Sequence, residues 1–99
     1  MEIKTSRNEN EFIVAPVGEI NILTAPELEE VLNSGIEGID LLTMDFEGCD
    51  YVSSAGLRVL LATFKTLKKN NAQMRLTNIG ENFAEVLENT GLDAVFGIE

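Results

Sequence analysis

The strongest constraint on the fold lies between Leu41 and Thr77, where the apolar pattern changes period twice. Leu41-Leu42-Thr43-Met44-Asp45-Phe46 is nearly continuous apolar, as expected of a central strand covered on both faces. Leu57, Leu60, Leu61, Phe64 and Leu67 then follow at steps of three and four, which predicts a helix reaching about Lys69 with those residues inward. Asn70-Asn71 ends it, and Gln73 to Thr77 reads as a second strand. Strand, helix, strand in that order predicts two parallel strands joined by a right-handed crossover. Glu47 to Val52, between the first strand and the helix, reads as a loop.

The flanks add to this unit. Phe12 to Val17 reads as a strand, with Pro16 expected at an edge or near the strand's end because it lacks an N–H. Ile3 to Ser6 reads as a weaker strand paired with it, and Arg7 to Asn10 as the turn between them. Thr24 fits an N-cap, with Glu27 completing a capping box and Pro26 in the first turn. Leu28, Val31 and Leu32 give that helix one apolar face, and Gly35 a stop. A last helix carries Phe83, Val86, Leu87 and Thr90 on one face and closes at Gly91-Leu92. The expected fold class is α/β, a single domain over 1–99 with a small mixed sheet and helices packed on it.

Composition removes whole classes of function. The chain has no histidine, so neither a Ser–His–Asp nor a Cys–His site can be built within it. A net charge of −10 argues against a nucleic-acid backbone or an anionic membrane as partner. That charge is uneven: residues 1–52 hold 12 Asp/Glu and 2 Lys/Arg, residues 53–99 five of each. Solubility explains it, and so does steering of a partner with a basic patch. The start, Met-Glu-Ile-Lys-Thr, lacks the pattern of a signal peptide, and a single cysteine, Cys49, cannot form an internal disulfide. The expected location is the cytoplasm, with no cofactor.

In a strand–helix–strand unit, ligands and reactive groups gather where a strand's C-terminal end meets the next helix. Here that junction is Asp50 to Gly56. Ser53 and Ser54 stand at the helix start, where unpaired N–H groups and the helix dipole tolerate a negative group. One serine suffices as an N-cap, which leaves the other exposed, and Gly56 permits close approach of another backbone. On the helix beyond, Arg58, Lys65 and Lys69 form a basic stripe. Val59, Ala62, Thr63 and Thr66 form a patch of few charges, suited either to packing within the domain or to docking a protein. Asp45, Glu47 and Asp50 read as solvated loop carboxylates rather than a magnesium site. Cys49 reads as a small, partly buried residue, with no base to make it a nucleophile.

At this junction Asp50-Tyr51-Val52-Ser53-Ser54-Ala55-Gly56-Leu57-Arg58-Val59-Leu60 resembles the signature of the STAS domain, specifically the stand-alone anti-sigma-factor antagonists of bacteria. Three further segments agree in order and spacing: Val17 to Asn21, Leu42 to Phe46, and Thr90 to Phe96. The resemblance implies a STAS fold over the whole chain and a protein that is not an enzyme. It implies that the unmodified form binds an anti-sigma factor with serine kinase activity and so frees a sigma factor. By the same resemblance, phosphorylation of Ser54 releases the complex and a PP2C-type phosphatase restores it. Ser53 stands where the signature has Asp, which makes it a second possible acceptor, and Asn21 stands where Asp is common. The partner surface implied by motif and helix together is Asp50, Ser53, Ser54, Gly56, Arg58, Val59, Ala62 and Thr63. The alternative function is a STAS scaffold or transporter-associated subunit that is never phosphorylated.

Overall fold

The structure is a computed structural model and describes residues 1–97. Its elements are β1 (Glu2–Asn8), β2 (Glu11–Ile20), α1 (Ala25–Gly35), β3 (Leu41–Asp45), β4 (Cys49–Val52), α2 (Ser54–Lys69), β5 (Gln73–Thr77), α3 (Glu81–Thr90) and α4 (Leu92–Val95). The sheet order is β1-β2-β3-β5, with β4 paired to β2. The hairpin β1–β2 is antiparallel and every other pairing parallel, so the sheet is mixed. The expected parallel pair is β3 and β5, adjacent in the sheet and joined through β4 and α2.

β2 organises the domain because it has two successive neighbours on one side. Glu11 to Val14 pair with Leu41 to Met44 of β3, and Gly18 to Ile20 with Cys49 to Val52 of β4. The register slips between Gly18 and Glu19, where Gly18 sits at φ 105°, a conformation that favours glycine. Pro16 is therefore not at an edge or near an end, as its missing N–H predicted. It lies mid-strand and fully buried, in the gap where β2 changes neighbour and neither parallel ladder requires its donor. Cys49–Val52, read as a loop, is strand β4: its order comes from pairing with β2, a tertiary cause that four residues do not display on their own.

Phe12, Val14 and Pro16 alternate inward along β2, and Leu42 and Met44 of β3 share their face. Leu28 and Leu32 of α1 and Leu60 and Leu67 of α2 close this core, all at 1% exposure or less. On the opposite face of β3, Thr43 is buried by a polar cluster. Its hydroxyl donates to Glu11 Oε2 at 2.6 Å, and Arg75 reaches both groups at 3.3 Å. Gly35, the last residue of α1, is required for space, since a Cβ there would lie 2.2 Å from the Phe12 ring. α3 and the short, unanticipated α4 are joined by Gly91 at φ 76°. Phe83 of α3 packs edge-on against Phe46, and Phe96 after α4 against Phe64.

Candidate functional site

β2 and β4 end side by side, with Ile20 opposite Val52. The backbone N–H of Ser53 then donates to the Ile20 carbonyl at 2.8 Å, which ties the start of α2 to the end of β2. Ser53 is the N-cap: it is extended, at φ −80° and ψ 175°, and its Oγ accepts the Gly56 N–H at 3.4 Å. Ser54 is the first residue of α2, is exposed, and takes no part in the cap. One serine caps and the other is free, as the doublet suggested. The first turn of α2 has no carboxylate, unlike those of α1 and α3, so its dipole is uncompensated there.

Of the other expected partner-facing residues, Asp50, Arg58 and Ala62 are exposed, while three are not available. Gly56 is buried against the domain itself, and a Cβ on it would stand 2.6 Å from Ile20 Cγ2 and 2.9 Å from Val52 Cγ1. The close approach it permits is that of its own sheet. Val59 is 7% and Thr63 5% exposed, so they belong to the core face with Gly56, Leu60 and Leu67. α2 packs on α1 as well as on the sheet, which rotates the buried arc away from the leucine-rich side. Leu57, Leu61 and Phe64 are correspondingly half-exposed. The exposed residues Ser54, Arg58, Ala62, Lys65 and Lys69 follow at steps of three and four and form the true outer face.

The loop after β2 abuts the same junction; the sequence reading marked its Asn21 and Thr24 but not the Ile22-Leu23 tip between them. Asn21 Oδ1 accepts the N–H groups of Leu23 and Thr24 at 2.9 and 3.1 Å. Thr24 Oγ1 donates to the Glu19 carbonyl at 2.7 Å and accepts the Asn21 N–H at 2.8 Å. Thr24 therefore precedes α1 without capping it, and the expected capping box with Glu27 is not formed. The acceptor that matters in this loop is the side-chain oxygen of Asn21, which an aspartate would also supply. Ile22 and Leu23, held at the tip, are 78% and 81% exposed. The signal in the sequence is a pair of adjacent aliphatics, Ile22-Leu23, set between Asn21 and Thr24 at the entry to a helix.

The remaining groups are spent locally. Asp45 accepts from Asn78 Nδ2 at 2.9 Å and from the Glu47 N–H at 3.0 Å, and those bonds, Asn78 first, hold its carboxyl below the ordinary range. Desolvation pushes the Cys49 thiol up, away from the thiolate a nucleophile needs. Tyr51 lies half-exposed beside a small hollow of about 40 Å³ lined by Asp50, Val52, Asn82, Phe83 and Val86.

The mixed sheet with helices packed on it, and a strand–helix junction that presents an exposed hydroxyl the domain does not use, define a small α/β domain of the STAS type. The family profile of the STAS domain matches residues 2–99, and the chain belongs to that family. Anti-sigma factor antagonists, with which it shares that family, are regulatory binding proteins and not enzymes. It is 32% identical over 98 residues to the anti-sigma-B factor antagonist of Bacillus subtilis (strain 168), covering 99% of this chain and 90% of that protein. It superimposes on the crystal structure of an anti-sigma factor antagonist from Mycobacterium paratuberculosis with a TM-score of 0.85 at 25% identity, over 98% of this chain and 83% of that one. The Bacillus cell fate determinant SpoIIAA in its phosphorylated form shares the fold, with a TM-score of 0.78 at 14% identity over 94% and 86% of the two chains.

Proposed function

We propose that this chain is an anti-sigma factor antagonist switched by phosphorylation of Ser54. Unmodified, it binds a cytoplasmic anti-sigma factor that is also a serine kinase, and thereby frees a sigma factor. The kinase then modifies Ser54, the complex separates, and a PP2C-type phosphatase resets it. The observation that carries this reading is the division of labour at the start of α2, where Ser53 is held as the cap and Ser54 presents a free hydroxyl to solvent. The similarity to an anti-sigma-B factor antagonist supports the partner, and a solved structure of the same fold in a phosphorylated form supports the modification. The chain contributes only a hydroxyl and a surface, so the kinase supplies the base, the nucleotide and the metal for transfer.

Incubation of wild type, Ser53→Ala and Ser54→Ala with the kinase-type anti-sigma factor of the same bacterium and ATP tests the assignment. Label is expected on wild type and Ser53→Ala and lost from Ser54→Ala. Full labelling of Ser54→Ala with loss from Ser53→Ala would move the acceptor to the cap residue. Labelling that neither substitution reduces would end the switch reading.

A further inference from the structure

The positive charge of this acidic chain is concentrated far from Ser54. Of its seven Lys and Arg residues, Lys65, Lys68 and Lys69 lie in the last turns of α2 and Arg75 in β5. From Ser54 to that end of α2 is roughly 20 Å of helix. Between α2, β5 and the stretch after α4 lies a cavity of about 380 Å³. That falls within the roughly 300–1,000 Å³ of small-molecule sites. Its walls are Phe64, Met74, Val95 and Phe96, and Lys68 and Arg75 line it as well. The Phe64 and Phe96 rings meet edge to face at 5.5 Å, and Lys68 Nζ stands 5.5 Å from the Phe64 centroid, over the aromatic wall. Val95 is left 44% exposed.

Charge narrows the ligand. Among the described residues no carboxylate lines the cavity, although two adjoin it. Glu11 pairs with Arg75 Nη2 at 3.3 Å, and the bond from Arg75 to Thr43 uses the same nitrogen, which leaves Nη1 and Nε for a ligand. Asp40 stands exposed before β3 and meets Gln73 through its backbone carbonyl. With Arg75 balanced by Glu11, Lys68 is the unbalanced charge of the lining.

We propose that this cavity binds a small organic monoanion, a carboxylate carrying an apolar body about the size of a phenyl ring. The carboxylate lies between Lys68 and Arg75, and the body covers Phe64, Val95 and Phe96. A nucleoside triphosphate is a poor match, because several negative charges would meet one unbalanced cation and the neighbouring Glu11 and Asp40. The site is independent of the proposed function, since none of its residues belongs to the junction at Ser54.

The test is titration of the isotope-labelled full chain with phenylbutanoate, followed by backbone amide shifts. Saturable shifts are expected at 64–68, 73–75 and 95–97, with 50–58 unmoved. Phenylbutanol, which lacks the charge, and acetate, which lacks the body, are each expected to bind about fivefold more weakly or less. Lys68→Gln is expected to keep the fold and to weaken phenylbutanoate about fivefold or more. Val95→Asp, on the opposite wall, provides a second variant with the same direction. Shifts that do not saturate by about 10 mM would overturn the site. So would equal affinity for phenylbutanol, or wild-type affinity in both variants. Displacement of phenylbutanoate by a lower concentration of ATP would overturn the monoanion. Each of these failures leaves the Ser54 assignment standing, because the labelling experiment does not involve this end of α2.

Discussion

Ser53 and Ser54 are adjacent, chemically identical, and different in what they do. Ser53→Ala removes a cap whose contact is long at 3.4 Å, so a loss at the low end of the capping range, about 0.5–1 kcal/mol, is expected. Ser54→Ala removes nothing the domain uses and is expected to be neutral within about 0.5 kcal/mol. Gly56→Ala makes a sharper case. Its Cβ would collide with the buried, β-branched Ile20 and Val52, which are stiff at χ1, so about 1–3 kcal/mol of overpacking is expected. Urea melts of the three variants measure all of this, and a neutral Gly56→Ala would contradict the packing described. The serine doublet was legible because N-caps are chosen by local chemistry. The role of Gly56 was legible only as a need for space, since Ile20 and Val52 reach it through the fold.

Among the elements, α2 shows how periodicity can find a helix and misjudge its rotation. Leu57, Leu60, Leu61, Phe64 and Leu67 defined the element correctly, yet the face that the domain covers is Gly56, Val59, Leu60, Thr63 and Leu67. Leucines on the other side remain half-exposed, which a pattern of apolar residues alone cannot distinguish from burial. The difference is measurable with one charge placed on either side. Val59→Asp puts an unpaired carboxylate in the core and is expected to cost about 3 kcal/mol or more, lowering the melting temperature steeply. Ala62→Glu is exposed and gains Arg58 and Lys65 as helical neighbours, so it is expected to leave stability within about 0.5 kcal/mol. Ala62→Glu is expected to weaken the complex instead, since binding would bury an unpaired carboxylate at the proposed docking face. A large thermal loss for Ala62→Glu would put that residue in the core. β4 and α4 were illegible for a related reason: each is four residues long, too short for a period, and exists through contacts with β2 and α3. β1, β2, α1, β3, β5 and α3 were each carried by a run, a turn or a stop that their own residues supply.

For the whole molecule, the question is how far a phosphate on Ser54 is felt. The site sits at the C-terminal end of β2, and the hairpin turn Glu9–Asn10 sits beyond its other end, a strand length of roughly 30 Å away. Between them lies a core whose side chains are almost fully buried and close-packed. The phosphate meets an uncompensated helix N-terminus, and Arg58 one turn on, so it is expected to stabilise the free domain by about 0.3–1 kcal/mol rather than loosen it. The affected object is then the complex. A loss there of about 3 kcal/mol reduces affinity more than a hundredfold, enough to make a switch of a local charge. Backbone amide spectra of the free protein before and after phosphorylation separate this from a conformational mechanism. Shifts are expected at 50–58 and, through the Ser53–Ile20 hydrogen bond, at 20–24, with the hairpin turn at 8–11 unmoved and the melting temperature not lowered. Ser54→Asp is expected to reproduce the pattern only in part, having about half the charge and fewer acceptor oxygens. Shifts at the hairpin turn, or a phosphorylated domain that melts earlier, would mean that the phosphate reorganises the fold and that local repulsion is not the mechanism.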